Sequence, residues 1–175
     1  MLSGLPYCSW DSELVIDRMR AKAACHKFNL FDPMKLFERM SILRSILSIK
    51  NEAHIEPNFF CDYGYNIEIG EKFYSNHNLT IIDVCRVSIG DNVLLGPNVM
   101  ISTAAHPIHP IERQKTEYGS TISIGNDVWI GGNASLLSGV NIGDNCVVGA
   151  GSVVTKDIPN NSVAVGSPCR VVRSF

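Results

Sequence analysis

The spacing of apolar residues along this chain changes near residue 50. Before that point the apolar residues recur at helical spacing, and two helices are predicted. The first begins after the N-cap residue Asp11 and continues to about Phe28. The second starts at Asp32-Pro33, an N-cap followed by proline at the first helical position, and fades near residue 50. Its apolar face is formed by Leu36, Met40, Leu43 and Leu47.

From residue 124 an aliphatic residue returns at every sixth position: Ile124, Ile130, Leu136, Ile142, Val148 and Val154. Glycine follows four of these residues, and a small or β-branched residue lies four positions after five of them: Val128, Ala134, Val140, Cys146 and Ser152. An earlier set with the same character comprises Ile69, Ile89, Leu95 and Ile101. A fixed six-residue period predicts a parallel β-helix, in which each unit contributes a short strand and a turn. The aliphatic residues point inward and stack from coil to coil, and glycine relieves the backbone at the corners.

The six-residue period is interrupted twice. The 23 residues from Ile101 to Ile124 do not fit a whole number of hexads, so a loop of about residues 105–120 must leave the β-helix. The second interruption places Ile89 two residues late, and the surplus lies around Asp83 to Arg86. Repeat proteins often carry their working residues in such insertions, so both breaks are candidate sites.

Two histidines, His106 and His109, lie in the longer insertion. The ordinary pKa of histidine lies near neutrality, so its side chain can take up a proton and return it. We therefore predict that His106 is a general base, and we assign no role to His109. A histidine before proline can also be merely exposed, and the residues alone leave that reading open.

Composition narrows the function further. The chain is 45% hydrophobic and carries a formal charge of −2, which disfavours a general nucleic-acid binder. No apolar run is long enough for a membrane span, and no signal peptide is recognised, so we expect a cytoplasmic protein. None of the six cysteines forms a Cys-x-x-Cys pair, which favours structural thiols over a metal or redox site.

Four stretches resemble one family: NIEIGEKFYSNHNLTIIDVC, IGDNVLLGPNVMISTAAHP, IGNDVWIGGNASLLSGVNIGDN and VVGAGSVVTKDIPNNSVAVGSPCRVVR. They are similar to the hexapeptide-repeat acyltransferases, in the maltose and galactoside O-acetyltransferase branch. The resemblance implies an all-β fold, a left-handed parallel β-helix with three hexapeptides per coil, although parallel crossovers are usually right-handed. It also implies an N-terminal helical acceptor-site region over residues 1–53, ahead of the acyltransferase domain at 54–175.

The same resemblance implies a site. His106 matches the family's catalytic histidine, and Arg18, Tyr74, Asn76 and Asp83 match its acceptor-sugar contacts. The implied contacts to acetyl-CoA are Gly132, Ala150, Thr155, Lys156, Arg170 and Arg173. The family further implies a homotrimer whose sites lie between subunits, a sugar acceptor such as maltose, glucose or a galactoside, and no metal.

Two departures bear on the acceptor. The galactoside branch tends to have two acidic residues in succession where this chain has Asp83 and Val84, whereas the maltose-type branch has an Asp-Val-Cys like this one and lacks a fixed acidic residue where this chain has Ser9. Serine or a xenobiotic therefore remains an alternative acceptor. From the residues alone, Lys156, Arg170 and Arg173 form a late cationic group suited to phosphates, although ordinary solvated charges would look the same.

Two other function classes remain open at this stage. A zinc hydratase of the γ-carbonic-anhydrase kind has the same fold and would need three ligands, which His77, His106 and His109 could supply across an interface. A non-catalytic scaffold is the other alternative, but it would require neither interruption. The acetyltransferase reading accounts for more of the sequence than either.

Overall fold

In the computed structural model, which describes all 175 residues, short parallel strands stack into a three-sided β-helix. The first face contains β1 (Ser48–Ile49), β4 (Ile67–Ile69), β7 (Val87–Ile89), β12 (Ile122–Ile124) and β15 (Asn141–Ile142). The second contains β2 (Ala53–Ile55), β5 (Phe73–Ser75), β8 (Leu94–Leu95), β13 (Trp129–Ile130), β16 (Val147–Val148), β18 (Ser162–Val165) and β19 (Arg170–Ser174). The third contains β3 (Phe59–Cys61), β6 (Leu79–Ile82), β9 (Met100–Ser102), β14 (Ser135–Leu136) and β17 (Val153–Val154).

The strand register confirms three hexads per coil. Ile124 pairs with Ile142, and Ile130 pairs with Val148, so each coil of this region advances by 18 residues. In the earlier coils Ile69 pairs with Ile89, a separation of 20 residues, which confirms the two-residue surplus. The fold is the left-handed parallel β-helix expected from the resemblance, with a short helical N-terminal region and a protruding loop.

The inward positions form one continuous core. Ile69, Ile89, Ile124 and Ile142 stack inside the first face, and equivalent columns line the other two, within a cluster of 35 buried residues. Each fully buried aliphatic side chain of this kind contributes about 1.5–3 kcal/mol relative to its exposure to water. A strand of two or three residues cannot bury its apolar side alone, so the coils stabilise one another.

Glycine and asparagine have different roles at the corners of the β-helix. A Cβ on Gly125 would lie 2.5 Å from Asp144 Oδ1 of the next coil, so glycine is required there by close stacking. Positive φ is instead adopted mainly by asparagine, for example Asn98 at 59° and Asn133 at 59°. Asparagine tolerates this left-handed conformation better than most residues because its short side chain bonds locally. The corner between the second and third faces carries a column of hydrogen-bonded asparagines, Asn58, Asn78, Asn98 and Asn133, and we call it the ladder corner.

Helix α1 spans Ser12–Asn29, and the predicted N-cap is confirmed because the Asp11 carboxylate accepts from the Glu13 N–H at 3.0 Å. Its buried side includes Cys25 and Phe28 and packs over β3. Helix α2 spans only Leu36–Arg44, shorter than predicted at both ends. Asp32 accepts from the Met34 N–H at 2.9 Å in a turn that precedes the helix, and the residues after Leu47 already form a strand.

The β-helix begins earlier than its period suggested. β1 pairs with β4 through Ile49 and Ile69, so the first strand of the solenoid lies within the N-terminal region assigned to residues 1–53. At the other end, β18 and β19 form an antiparallel hairpin that closes the second face. No helix in the structure has the length and apolar character that crossing a membrane would require.

Candidate active site

All the interruptions of the repeat fall at one corner, between the third and first faces, which we call the loop corner. The inward positions Cys61 and Ile69 are eight residues apart, as are Ile81 and Ile89, and the long insertion follows Ile101 directly above the next coil. The surplus after Cys61 was not found from the sequence, because the first coil was not recognised. Stacking places all three irregular segments side by side.

Asp83 organises this corner. One of its carboxylate oxygens accepts from the N–H groups of Asp62 and Tyr63, both at 2.9 Å, and the other accepts from Gly64 at 2.7 Å. The residue has no exposed surface. Burial raises the pKa of this carboxyl to about 6, although the three N–H donors pull it in the opposite direction. The expectation that Asp83 contacts the acceptor is therefore corrected: its oxygens are occupied by backbone, and it shapes the turn beneath the site.

Thr103 and Ser138 continue the same support under the long insertion. The Thr103 hydroxyl accepts from the Cys85 N–H at 3.0 Å and donates to the Ile82 carbonyl at 2.8 Å. The Ser138 hydroxyl donates to the Thr103 carbonyl at 2.6 Å. These bonds tie three successive coils together where the regular turn is absent, so the base of the loop is anchored to the β-helix.

The insertion itself is a narrow ribbon. β10 (Ala104–Ala105) pairs antiparallel with β11 (Tyr118–Gly119), and the short helix α3 (Pro110–Arg113) caps its outer end. His106 follows β10 directly, and its side chain is 53% exposed. His109 is the exposed N-cap residue of α3, where its carbonyl accepts from the Arg113 N–H at 3.0 Å. His106 is therefore held by the ribbon, while His109 lies at its tip.

Glu117 lies opposite His106 on the returning strand side of the ribbon. Its Oε2 is 3.9 Å from His106 Nε2, and the side chain is only 16% exposed. Tyr7 fixes Glu117 twice over: the two backbones exchange N–H···O bonds of 2.9 and 3.1 Å, and the Tyr7 hydroxyl donates to Glu117 Oε1. Burial and the Glu117 carboxylate together raise the pKa of Tyr7. Sequence reasoning missed Glu117, since only the pairing of residue 7 with residue 117 distinguishes it from other loop acids.

Glu117 also lines a polar pocket of about 260 Å³ together with Ser9, Trp10, Arg18, Lys22, Asp62 and Tyr63. Arg18 donates to the Tyr63 hydroxyl at 2.6 Å and to the Ser9 carbonyl at 2.5 Å. Burial raises the pKa of Asp62, which lies at this pocket as well. Glu117 thus lies between the pocket that contains Arg18 and the His106 side chain, so these two predicted residues are near one another in one chain.

Tyr74 and Asn76 lie elsewhere. Tyr74 is on the outer surface of β5, where its ring stacks on His54 at a centroid distance of 5.7 Å. Asn76 follows at the ladder corner, where its side chain accepts from the His77 N–H at 2.7 Å. Within one chain these two residues therefore lie at a different corner from His106 and Arg18.

The residues implied for acetyl-CoA are divided in the same way. Gly132 and Ala150 lie on successive coils of the ladder corner, and a Cβ on the adjacent Gly131 would be 2.5 Å from the Ala150 nitrogen. Thr155 and Lys156 lie at the loop corner, directly after Val154 of β17. Arg170 and Arg173 are exposed on β19. The loop corner and the ladder corner of one chain thus each carry some of the predicted acceptor contacts and some of the predicted acetyl-CoA contacts.

The histidines do not form a metal cluster within one chain. His106 and His109 share the ribbon, whereas the His77 ring contacts the Pro57 carbonyl at the ladder corner. No group of three or more histidine, cysteine, aspartate or glutamate side chains is arranged to hold an ion.

Comparison with known families and structures gives consistent matches along the chain. Residues 1–48 match the "Maltose acetyltransferase hexapeptide capping motif", residues 86–104 the "Hexapeptide repeat of succinyl-transferase" and residues 121–156 the "Bacterial transferase hexapeptide (six repeats)".

Individual relatives extend this similarity to nearly the whole chain. The Escherichia coli galactoside O-acetyltransferase is 49% identical over 160 residues, which cover 90% of this chain and 79% of that protein. A crystal structure of a maltose O-acetyltransferase from Clostridium difficile superposes with a TM-score of 0.96 at 48% identity, covering 99% of this chain and 94% of the other. A galactoside acetyltransferase in complex with coenzyme A gives a TM-score of 0.95 at 44% identity, covering 98% and 87%.

Proposed function

Since this chain belongs to the hexapeptide-repeat acyltransferases, in the maltose and galactoside O-acetyltransferase branch, we propose that it acetylates a hydroxyl of a sugar such as maltose, glucose or a galactoside. It is an acetyl-CoA-dependent O-acetyltransferase, with acetyl-CoA as the co-substrate. The observation that carries the proposal is the His106–Glu117 pair beside the Arg18 pocket, because it joins a proton acceptor to a site suited to hydroxyl groups.

His106 would act as the general base. Its neutral imidazole takes the proton of the acceptor hydroxyl as the oxygen attacks the thioester carbonyl, and it returns the proton to the departing sulfur of coenzyme A. Glu117, held by Tyr7, lies 3.9 Å from the imidazole and would stabilise its charged form between these two steps. Direct transfer of this kind needs no covalent enzyme intermediate.

The negative charge that develops on the carbonyl oxygen needs donors. The backbone N–H groups of Gly132 and Ala150 find no backbone acceptor within the chain, and both lie at the ladder corner. Donors already aimed at developing charge are among the strongest contributors to catalysis. We assign these two N–H groups to acetyl-CoA, and Lys156, Arg170 and Arg173 to its phosphates, because charge-assisted bonds from lysine and arginine suit phosphate.

The complete site requires two subunits. His106 and Arg18 lie at the loop corner and Asn76 at the ladder corner, so no single chain unites them. The outward residues of the second face are largely apolar, and in register they are Tyr74, Leu94, Trp129, Val147 and Val163. On the first face the outward residues are Glu68, Ser88, Ser123 and Asn141. We therefore infer a homotrimer in which the second face packs against a neighbour and brings the two kinds of corner together.

Sedimentation equilibrium tests the assembly, and we expect a trimer. Trp129→Glu, which places a charge in the apolar column, should dissociate it and abolish turnover, whereas Ser123→Glu on the polar first face should change neither. A stable monomer with full activity would contradict the inference.

The acceptor is tested by incubating the purified protein with acetyl-CoA and each candidate. Maltose, glucose and a galactoside should release coenzyme A and yield an O-acetylated sugar detectable by mass spectrometry, while serine and hydroxylated xenobiotics should not. Faster acetylation of serine than of any sugar would overturn the sugar proposal. We assign the reaction to the cytoplasm, where the six free cysteines would remain reduced.

A further inference from the structure

Trp10 is the most exposed tryptophan of the chain, and it stands at the polar pocket of Arg18 and Glu117. Its exposed fraction is 81%, although tryptophan is highly buried on average. The indole lies on the wall of the 260 Å³ pocket that also contains Asp62 and Tyr63. A large apolar surface left open beside convergent polar groups is typical of a ligand site.

The backbone on both sides of Trp10 is fixed. Tyr7 exchanges two hydrogen bonds with Glu117, and the Asp11 N–H donates to the Cys8 carbonyl at 3.2 Å. Asp11 then caps helix α1, while the carbonyl of Ser9 accepts from Arg18. Trp10 is therefore presented at a defined place on the pocket that also contains Glu117, the carboxylate beside His106.

The pocket combines an aromatic surface with groups that bind hydroxyls. Asp62 and Glu117 can accept hydrogen bonds, and Arg18 and Lys22 can donate them, so the charges balance and leave no surplus cation for a carboxylate ligand. A pyranose ring has a face of C–H groups and an edge of hydroxyls, which match the two kinds of surface. A small zwitterion such as serine has no apolar face to place on the indole.

Two neighbouring positions contribute no carboxylate. Val84 is buried, and Ser9 contacts Arg18 through its carbonyl only. With fewer side chains available to hydrogen-bond individual sugar hydroxyls, stacking of the sugar ring on an aromatic side chain supplies a larger share of the binding free energy. We propose that Trp10 is the surface on which the acceptor sugar ring stacks, and that it makes this pocket selective for saccharides over small hydroxylated amino acids. This inference rests on the proposed function.

The first experiment compares Trp10→Ala and Trp10→Phe in the full enzyme. Loss of one stacking contact should raise the KM for maltose about tenfold, while kcat and the KM for acetyl-CoA stay unchanged. Phenylalanine keeps a stacking surface, so its KM should remain within about threefold of the wild type. Sedimentation of both variants should show the wild-type assembly. A Trp10→Ala variant that fails to assemble would make Trp10 a subunit contact and would overturn the inference.

The second experiment measures binding without turnover. The chain has two tryptophans, so Trp129→Phe leaves Trp10 as the only indole and keeps an aromatic side chain in the apolar column, and its sedimentation should match that of the wild type. In the presence of coenzyme A, maltose should shift the emission of Trp10 and protect it from acrylamide quenching, whereas serine should do neither. The two hypotheses fail separately. A wild-type enzyme that acetylates no sugar contradicts the proposed function. An enzyme that acetylates maltose with an unchanged KM after Trp10→Ala, or with Trp10 emission indifferent to saturating maltose, contradicts this inference alone.

Discussion

The ladder corner and the loop corner both turn the backbone from one face of the β-helix to the next, but different side chains stabilise the turn at each. At the ladder corner four successive coils use the same device, and the amide of one asparagine donates to the next at 3.2, 3.0 and 3.1 Å from Asn58 to Asn133. At the loop corner no device is used twice. Asp83 serves one coil, Thr103 the next and Ser138 the one after.

This difference distinguishes turns that only continue the β-helix from turns that also hold site residues. A turn that only continues the solenoid can be built from one residue type repeated in register, since every coil presents the same groups. A turn that must hold His106, Glu117 and Arg18 in one place has to be individually shaped. We therefore expect substitutions at the loop corner to be costly and specific, and substitutions of the repeated asparagines at the ladder corner to be mild.

The largest effect is expected at His106. His106→Ala removes the base and should lower kcat by about two to four orders of magnitude, the usual contribution of one positioned general base. Affinity for acetyl-CoA should hardly change, because the proposed phosphate contacts lie elsewhere. His109→Ala is the matched control, since it alters the exposed tip of the same ribbon. Steady-state kinetics and calorimetric binding measure both, and equal losses in the two variants would remove His106 from the mechanism.

The period explains why the fold was predictable and the site was not. From Ile124 to Val154 the same position faces inward in every hexad, so spacing alone specifies the stacked parallel strands and the buried residues, while the resemblance supplied three hexads per coil. Glu117 has no such signature, because its role comes from pairing with Tyr7, 110 residues away. Asp83 was found as part of a break, but only its burial reveals that backbone amides occupy it. Sequence spacing identifies where the six-residue repeat is interrupted. The hydrogen bonds that stabilise these interruptions join residues far apart in the sequence, so spacing does not reveal them.

The next largest effect concerns stability at the loop corner. Asp83→Ala leaves the N–H groups of residues 62, 63 and 64 without their acceptor. Each unsatisfied buried donor costs about 1–3 kcal/mol, so the free energy of unfolding should fall by at least about 3 kcal/mol. Urea unfolding at one fixed protein concentration measures this loss, since assembly would otherwise shift the result. A loss below about 1 kcal/mol would show that water replaces the carboxylate.

Asp83 also makes the stability of the loop corner depend on pH. Its pKa of about 6 in the folded protein lies above the ordinary value of 3.8, so between these values the folded state holds a proton that the unfolded state has lost. Protonation therefore favours folding, and this contribution is lost as the pH rises through 6. Asp83→Asn cannot ionise at this position. The unfolding free energy of the wild type minus that of Asp83→Asn should therefore be larger at pH 5 than at pH 7. An equal or smaller difference at pH 5 would contradict the raised pKa.

A smaller effect is expected where the loop corner meets the co-substrate. Lys156→Ala removes one proposed phosphate contact and should raise the Kd for acetyl-CoA about tenfold at low salt, as expected for a charge-assisted bond. The effect should shrink as salt screens the charge. Lys115→Ala, an exposed lysine on the ribbon, should leave the Kd unchanged. Isothermal titration at two salt concentrations distinguishes the two, and identical affinities for both variants would rule out the phosphate role.

The smallest effect should come from a single rung of the ladder corner. Asn98 adopts a φ of 59° and is exposed, so Asn98→Ala places in the left-handed region a residue without the local hydrogen bonding of asparagine, at a cost of about 1–2 kcal/mol. Asn98→Gly relieves that strain and loses only the side-chain bonds to Asn78 and Asn133, which water can replace. We therefore expect alanine to lower the thermal midpoint by a few degrees and glycine to lower it by less, with kcat unchanged in both. If glycine proves as destabilising as alanine, the continuous ladder of amides, and not the conformation of each corner residue, stabilises this edge of the β-helix.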